Sequence, residues 1–264
     1  MVLTGANIPK GVALADLAQL AQFASKPAGA DRPAISTRID AIDKCLPHKG
    51  LALGVIHEWI GLCGDDGLSS KAETYWTPPL SLLLQVAGAA TSLGDSAGSI
   101  WIGHRVWPYV PSLFQTHGVP GLDRSVFVRA GSVVDRLWAC DLALRSGVAA
   151  VVVDGSGFNL IATRRLQLAA EAGAALCLLA RPPWERFELS AAATRWLVSN
   201  RASSSMMRRW TVELLRCKGM QPAAHATRVW VLERDRATRR LRVAIDILDR
   251  PREETAGEDI RQVG

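Results

Sequence analysis

The sequence has little that could hold a metal ion. Its five cysteines lie far apart with no Cys-x-x-Cys pair, and one is left over after any pairing. The five histidines are equally scattered. This pattern is typical of buried thiols in a reducing compartment rather than of a disulfide framework or a zinc site. We therefore expect no metal bound by ligands of the chain itself.

Long apolar runs are also missing. No uninterrupted run approaches the length that crosses a bilayer, and the N-terminus, MVLTGANIPKG, lacks the charged and apolar regions of a secretory signal. Hydrophobic residues make up 48% of the 264 residues and charged residues 21%, which is typical of an ordered globular protein. The sequence therefore predicts a soluble, cytoplasmic protein with no membrane partner.

A third absence concerns phosphate binding. The segment IGLCGDDGLSSK (60–71) is rich in glycine and serine and follows a predicted strand, where a phosphate-binding loop would lie in a nucleotide-binding α/β protein. The motif G-x-x-x-x-G-K-[ST] is nevertheless missing, because Ser69 and Ser70 precede Lys71 and no hydroxyl residue follows the lysine. These three residues are therefore candidates for a degenerate phosphate-binding loop only. Two prolines at 78–79 delay the helix whose N-terminus would face the phosphate.

Strands and helices alternate in the middle of the chain. Apolar runs predict five strands, at 55–60, 99–103, 125–128, 149–154 and 175–180. Helical periodicity predicts helices at 80–90, 132–146 and 163–172. This alternation favours an α/β fold, with a parallel sheet flanked by helices.

The two ends of the chain differ from the middle. Residues 11–25 predict an amphipathic helix, followed by a linker, and we assign 1–34 to this N-terminal segment. The main domain is assigned to 35–250, beginning with a helical turn capped by Ser36 or Thr37, and a polar tail to 251–264.

The last part of the main domain has a different sequence pattern, with strands in place of alternating strands and helices. After residue 182 the pattern predicts three strands, of which the last two form an antiparallel hairpin around 235–238. Its inward-facing side chains are expected to be Leu241, Val243, Ile245 and Ile247.

The strongest chemical candidate is Asp154, at the end of the apolar run AAVVVDG. An aspartate at the carboxyl end of a parallel strand can hold Mg²⁺ through water, but it also fits a turn or capping role, and both readings stay open. The strand SIWIGH is followed by His104 and Arg105, where an ATPase would place a water-activating carboxylate. Glu58 lies within a predicted strand, which favours a structural ion pair over catalysis. We therefore predict no catalytic residue.

Basic charge is concentrated in the C-terminal third, where residues 201–242 hold many more arginines than acidic residues. The net charge of +6 favours an anionic partner, and Trp210 and Trp230 could stack on unpaired bases or equally fill the core. Salt would weaken such DNA binding steeply. The alternative is a hairpin whose charges serve solubility alone. The DNA-binding candidates are Arg216, Lys218, Arg234, Arg236, Arg239 and Arg240.

Three segments, which occur in the order found in the family, resemble the RecA superfamily and, within it, the ImuA group, often labelled SulA-like. ISTRIDAIDKCLPHKGLALGVIHEWIG (35–61) is similar to the group's opening segment, with Arg38 where glycine is usual. LRSGVAAVVVDG (144–155) is similar to its helix and Walker B strand, and RWTVELLRCKG (209–219) to a late strand. The similarity spans roughly 35–248.

This resemblance implies a RecA-like domain that serves as an accessory factor in the SOS response, in DNA-damage-induced mutagenesis and translesion synthesis. Its implied partners are an ImuB-like homologue of Y-family polymerases and an error-prone C-family polymerase, with single-stranded DNA or RecA as further candidates. Members of the group often lack an intact Walker A motif, so we expect weak or absent ATPase activity and neither ATP nor Mg²⁺ as a cofactor. Two alternatives remain: an active RecA-like DNA-dependent ATPase, and a SulA-like inhibitor of cell division.

Overall fold

A computed structural model describes residues 32–61, 76–94, 97–201, 208–220, 228–234 and 240–244. The predicted helix at 11–25 and the tail at 251–264 lie outside these residues. So do Ile245 and Ile247 of the predicted hairpin, and the candidates Ser69, Ser70, Lys71, Arg236 and Arg239.

Most of the described strands join one nine-stranded sheet, and a two-stranded ribbon of β1 and β2 lies beside it. The strands are β1 (Ala34–Ile35), β2 (Leu51–Ala52), β3 (Val55–Ile60), β4 (Ser99–Ile102), β5 (Ser125–Val128), β6 (Ala150–Asp154), β7 (Leu176–Arg181), β8 (Thr194–Arg201), β9 (Arg209–Cys217), β10 (Val229–Arg234) and β11 (Leu241–Val243).

The sheet is parallel in one half and antiparallel in the other. Its order is β11-β10-β9-β8-β3-β7-β6-β4-β5. Every neighbouring pair from β8 to β5 is parallel, whereas β8, β9, β10 and β11 run antiparallel to one another. The predicted α/β fold with a C-terminal antiparallel hairpin is therefore confirmed.

Helices cover both faces of the parallel half. They are α1 (Asp40–Asp43), α2 (Leu80–Thr91), α3 (Val110–Asp123), α4 (Val133–Arg145) and α5 (Leu160–Gly173), with 3-10 turns at His104–Val106 and Pro183–Phe187. Successive residues of a strand face opposite sides of a sheet. Accordingly Val152 packs in the core beneath α2, while Val151 and Val153 pack in the core beneath α4 and α5.

Tryptophans link the two halves of the sheet. Trp59 of β3 and Trp196 of β8 are stacked, with ring centroids 5.2 Å apart, and Trp230 of β10 lies 6.1 Å from Trp196. Trp210 of β9 is buried in the same core. Thus the structure places Trp210 and Trp230 in the core rather than on a base-stacking surface.

The structure corrects several details of the sequence-based prediction. Among the described residues after 182 there are four strands rather than three, because β8 was missed, and the helix α3 was not predicted. Ser36 and Thr37 do not cap α1, whose N-cap is Ile39; both instead hydrogen-bond the carboxylate of Asp43. Val243 lies on the same face of the sheet as the buried Leu241 and opposite the buried Leu232, but it is itself 36% exposed.

Two helices on one face approach each other unusually closely. A Cβ atom added to Gly173, at the end of α5, would lie 1.8 Å from the carbonyl oxygen of Leu144 in α4. At the other end, a Cβ on Gly157 would lie 3.1 Å from Cγ2 of Val133. Hence α4 and α5 run side by side in the same direction, and glycine sets their spacing at the carboxyl end.

Candidate functional site

The candidate site lies at the carboxyl ends of the parallel strands, where ligands of open α/β sheets bind. β3, which precedes the segment 62–75, and β6, which ends in Asp154, are not neighbours. β7 lies between them and pairs in parallel with both. The last residue of β7 is Arg181, so this arginine stands between the two places where a nucleotide-binding protein would hold phosphate and magnesium.

The carboxylate of Asp154 is already engaged within the protein. Asp154 is 5% exposed. Its Oδ1 accepts a hydrogen bond of 3.1 Å from the backbone N–H of Ser156, and its Oδ2 lies 3.5 Å from Nε of Arg105. Asp154 therefore fastens the turn after β6 and neutralises an arginine, which fits the turn role that the sequence left open.

Arg105 comes from the 3-10 turn that follows β4. Its guanidinium lies 5.2 Å from the ring centre of Trp76, and its Nη1 donates to the carbonyl oxygen of Trp76 at 3.4 Å. Gly103 has a φ of +86°, and a Cβ there would lie 3.0 Å from Cβ of Asp154. The chain can therefore turn here only if residue 103 stays small. The turn places the cation of Arg105 where an ATPase would have a water-activating carboxylate, which the sequence lacks at this point.

A second arginine holds the same turn from α4. Ser132 caps α4 by accepting from the N–H of Asp135, and Arg136 lies one turn into the helix, 7% exposed. Its Nε donates to the carbonyl oxygen of Asp154 at 2.8 Å, and its Nη2 donates to the carbonyl oxygen of Ser156 at 2.7 Å. Nη1 donates to the carbonyl oxygen of Gly131. Arg136 thus fixes the backbone that follows β6.

Glu58 is the centre of a buried ionic network. The residue is fully buried, and its Oε1 accepts from Nη1 of Arg181 at 2.9 Å and from Oγ of Ser190 at 2.6 Å. Its Oε2 accepts from Nε of Arg195 at 2.6 Å. The carboxylate therefore joins β3, β7 and β8, as expected of a structural ion pair.

Arg181 extends this network to the turn after β6. It pairs with Glu185 at 2.6 Å and donates to the carbonyl oxygen of Phe158 at 2.8 Å. Glu185 in turn accepts from the N–H of Gly157. Burial by itself lowers the pKa of Arg181, but Glu58 and Glu185 outweigh it and raise the pKa above the ordinary arginine value. Arg181 is a permanent cation whose charge is met inside the protein.

The two carboxylates differ in how fully they are engaged. A metal ligand or general base needs free oxygen lone pairs, and those of Glu58 are directed at three donors within the protein. The carboxylate of Asp154 accepts one hydrogen bond, from Ser156, and lies beside the charge of Arg105. Within the described ranges, no grouping of His, Cys, Asp and Glu is suited to a metal ion. In the same part of the chain, no helix has the length and apolarity needed to span a membrane.

The segment that carries Ser69, Ser70 and Lys71 leaves and rejoins the domain at one place. The N–H of Gly61 donates to the carbonyl oxygen of Arg181 at 2.7 Å, and a Cβ on Gly61 would lie 2.5 Å from the carbonyl oxygen of Thr77. The next helix, α2, begins at Leu80 with Pro79 as its N-cap. This helix starts at the predicted residue, directly after the two prolines.

The described DNA-binding candidates fall into two groups. Arg216 donates to the carbonyl oxygens of Ser190 and Ala192, and Nζ of Lys218 donates to that of Ala191 at 2.6 Å. Burial lowers the pKa of both side chains. The structure thus brings these two cations, at the end of β9, against the same stretch of backbone at 190–192.

The other group lies near α2. Nη2 of Arg234 is 3.5 Å from Oγ of Ser81. Arg240 lies close enough to Arg38 for their charges to repel each other, and the pKa of Arg38 is lowered first by burial and then by this repulsion. Nη2 of Arg38 also donates to Oγ of Ser92, at the end of α2. The two groups contact different parts of the domain.

Sequence reasoning missed the structural roles of Arg105, Arg136, Arg181 and Arg195. An arginine in a sequence carries no sign of whether it will be buried, because that depends on a carboxylate or carbonyl from a distant segment. The apolar strand LCLLAR, which ends in arginine, is the signal that could have found Arg181.

Comparison with known proteins gives a consistent relationship. Protein ImuA of Caulobacter vibrioides strain NA1000 / CB15N is 30% identical to this chain over 222 residues, which cover 78% of this chain and 85% of that protein. Protein ImuA of Caulobacter vibrioides strain ATCC 19089 / CIP 103742 / CB 15 shows the same identity and coverage. No protein-family model matches the chain.

Proposed function

This chain belongs to the ImuA family, and we propose that it is an accessory factor of DNA-damage-induced mutagenesis and translesion synthesis that acts through protein partners and without ATP hydrolysis. The 30% identity covers most of both chains and supports the mutagenesis role. The state of Asp154 supports the absence of hydrolysis.

Asp154 is the observation that carries the proposal. In a nucleotide hydrolase the strand-terminal aspartate must be free to hold Mg²⁺. Here its Oδ2 faces Arg105 and its Oδ1 accepts from the N–H of Ser156. Magnesium would therefore compete with Arg105, which already pairs with this carboxylate.

The proposed partners are an ImuB-like homologue of Y-family polymerases and an error-prone C-family polymerase. Internal ion pairs occupy the carboxyl ends of the parallel strands in this domain. We infer that such a domain binds partner proteins through its surface rather than catalysing a reaction. Single-stranded DNA and RecA are further candidate partners, reached through the basic residues of the C-terminal third.

We expect the full chain to hydrolyse ATP no faster than buffer, with or without single-stranded DNA, because the carboxylate of Asp154, the candidate for holding the metal, is paired with Arg105. Phosphate release with Mg²⁺ present measures this, and Asp154→Ala should give the same background rate. Asp141→Ala, a change at an ion pair on the helical surface, is the matched control. Hydrolysis that DNA stimulates and Asp154→Ala abolishes would favour the active ATPase instead.

We expect the chain to co-purify with an ImuB-like protein when the two are produced together, since the proposed role is carried by protein contacts. The tubulin-like division protein, produced with the chain in the same way, is the control. Capture of the division protein in place of the ImuB-like protein contradicts the proposal and favours the division inhibitor. Adding Asp154→Ala separates the two parts of the proposal, because partner binding should survive it.

A further inference from the structure

The outward faces of α4 and α5 carry large apolar side chains. On α4, Val134, Trp138 and Leu142 recur at every fourth residue and are 74%, 63% and 56% exposed. On α5, Ile161 is 77% exposed and Leu168 is 63% exposed. These five residues are called the α4/α5 apolar face. Apolar residues grouped in this way mark a surface that something covers.

The two helices present this face as one surface. Gly173 and Leu144 keep their carboxyl ends in contact, as described above. Between the apolar residues, Asp141 of α4 pairs with Arg145 on its own helix and with Arg165 on α5, each at 3.2 Å. The two helices are thus joined, and a third helix could lie along the groove between them.

The position of Arg32 shows where the preceding chain segment comes from. Its Nη1 donates to the carbonyl oxygen of Gly54 at 3.2 Å, and its Nη2 lies 3.7 Å from Oε1 of Glu171. Glu171 belongs to α5 and lies one helical turn after Leu168. The N-terminal segment therefore joins the domain beside the carboxyl end of the α4/α5 apolar face.

We propose that residues 11–25 dock as a helix on the α4/α5 apolar face of their own chain. On a helix, the segment GVALADLAQLAQFAS places Leu14, Leu17 and Leu20 on one face together with Ala21 and Ala24, while Asp16, Gln19, Gln22 and Ser25 are spread over the other half. Docking of this leucine face on the α4/α5 apolar face would bury both apolar surfaces.

The distances allow this arrangement. The six residues 26–31 can span up to about 20 Å, and a helix over 11–25 would be about 22 Å long. The 14 residues of α5 give it nearly the same length. With residue 25 near Glu171, Asp16 would lie beside the first turns of α5, close to the cations of Arg164 and Arg165. The short linker also favours the chain's own helix over one from another molecule, because it keeps the local concentration high.

Amide hydrogen exchange on the full chain tests this docking. In the wild-type protein, amides of 11–25 should exchange at least about tenfold more slowly than in an unstructured peptide. Trp138→Asp should remove that protection while leaving β6 and β7 protected, since Trp138 points to solvent in the described domain. Val126→Asp is the matched control, because Val126 is 54% exposed but lies on β5, outside the face.

Three outcomes would overturn the inference. In the first, residues 11–25 exchange at the rate of an unstructured peptide. In the second, their protection survives Trp138→Asp. In the third, protection rises with protein concentration together with dimer formation in sedimentation, which would assign the face to a second copy. Protection that is equal at low and high concentration, in a monomer, supports docking within one chain.

Discussion

A Glu58→Gln protein is expected to lose about 3–5 kcal/mol of its free energy of unfolding, the cost of breaking a buried ion pair from one side. The substitution keeps the shape of the side chain but removes the charge that Arg181 and Arg195 share at 2.9 Å and 2.6 Å. Both arginines are almost fully buried, so water does not replace the lost carboxylate. Since natural domains are stable by about 5–15 kcal/mol, the loss is a large fraction of the total.

Urea denaturation followed by circular dichroism measures this loss. Asp141→Asn is the matched control, because Asp141 also pairs with two arginines, but with guanidinium groups that are about half exposed. Exposed pairs contribute about 1 kcal/mol or less. If Glu58→Gln proved as stable as Asp141→Asn, the network would not be holding the sheet together. A Glu58→Gln protein that fails to accumulate in folded form, while Asp141→Asn folds, would agree with the expectation.

The protein is expected to become less stable by about 3 kcal/mol as the pH falls from about 6.5 to about 4. The cause is His57, whose pKa burial lowers to about 4, against a partly compensating hydrogen bond to the backbone of Ala52. The unfolded chain takes up a proton near pH 6.5, whereas the folded protein does not do so until about pH 4. Stability is therefore full above pH 6.5 and is lost through this window.

The surroundings of His57 explain why it stays neutral. Its Nε2 lies 2.9 Å from the carbonyl oxygen of Ala52, which accepts only, so Nε2 carries the proton. Its Nδ1 lies 2.8 Å from Oγ1 of Thr194 and accepts from that hydroxyl, which in turn accepts from Nε1 of Trp196. Denaturation midpoints measured between pH 4 and pH 7 test the expectation. His57→Gln should show a much flatter profile, and an equally steep one would exclude His57 as the cause.

The parallel half of the fold was predictable because its strands are nearly continuous apolar runs. The run AVVV (150–153) before Asp154 is buried on both sides of the sheet, so it has the same character whichever way a side chain points. β8 was missed for the opposite reason. Its sequence, TRWLVSNR, mixes Arg195 and Asn200 with apolar residues, and Arg195 is buried only because Glu58 lies opposite it in β3.

The helix α3 was not predicted because prolines stand at 111 and 120 within it, and proline usually ends a helix.

Of the candidate site, the sequence could predict Asp154 but not Arg105. Asp154 could be found because its position at a strand end is a local pattern. Arg105 could not, because its role depends on the neighbouring strand and on Trp76, both distant in the sequence from Asp154.

The central place of β3 has a consequence for how the protein is made. Glu58 and its two arginine partners are separated by 123 and 137 residues. At a synthesis rate of roughly 5–20 residues per second, β3 leaves the ribosome roughly 6–27 seconds before its neighbours β7 and β8 exist. During that time the apolar strand VIHEWI has no partner on either side. The antiparallel strands from β8 onward, by contrast, pair with sequence neighbours almost as soon as they appear. In the growing chain, β3 therefore gains its two neighbours in the sheet only when β7 and β8 have been made.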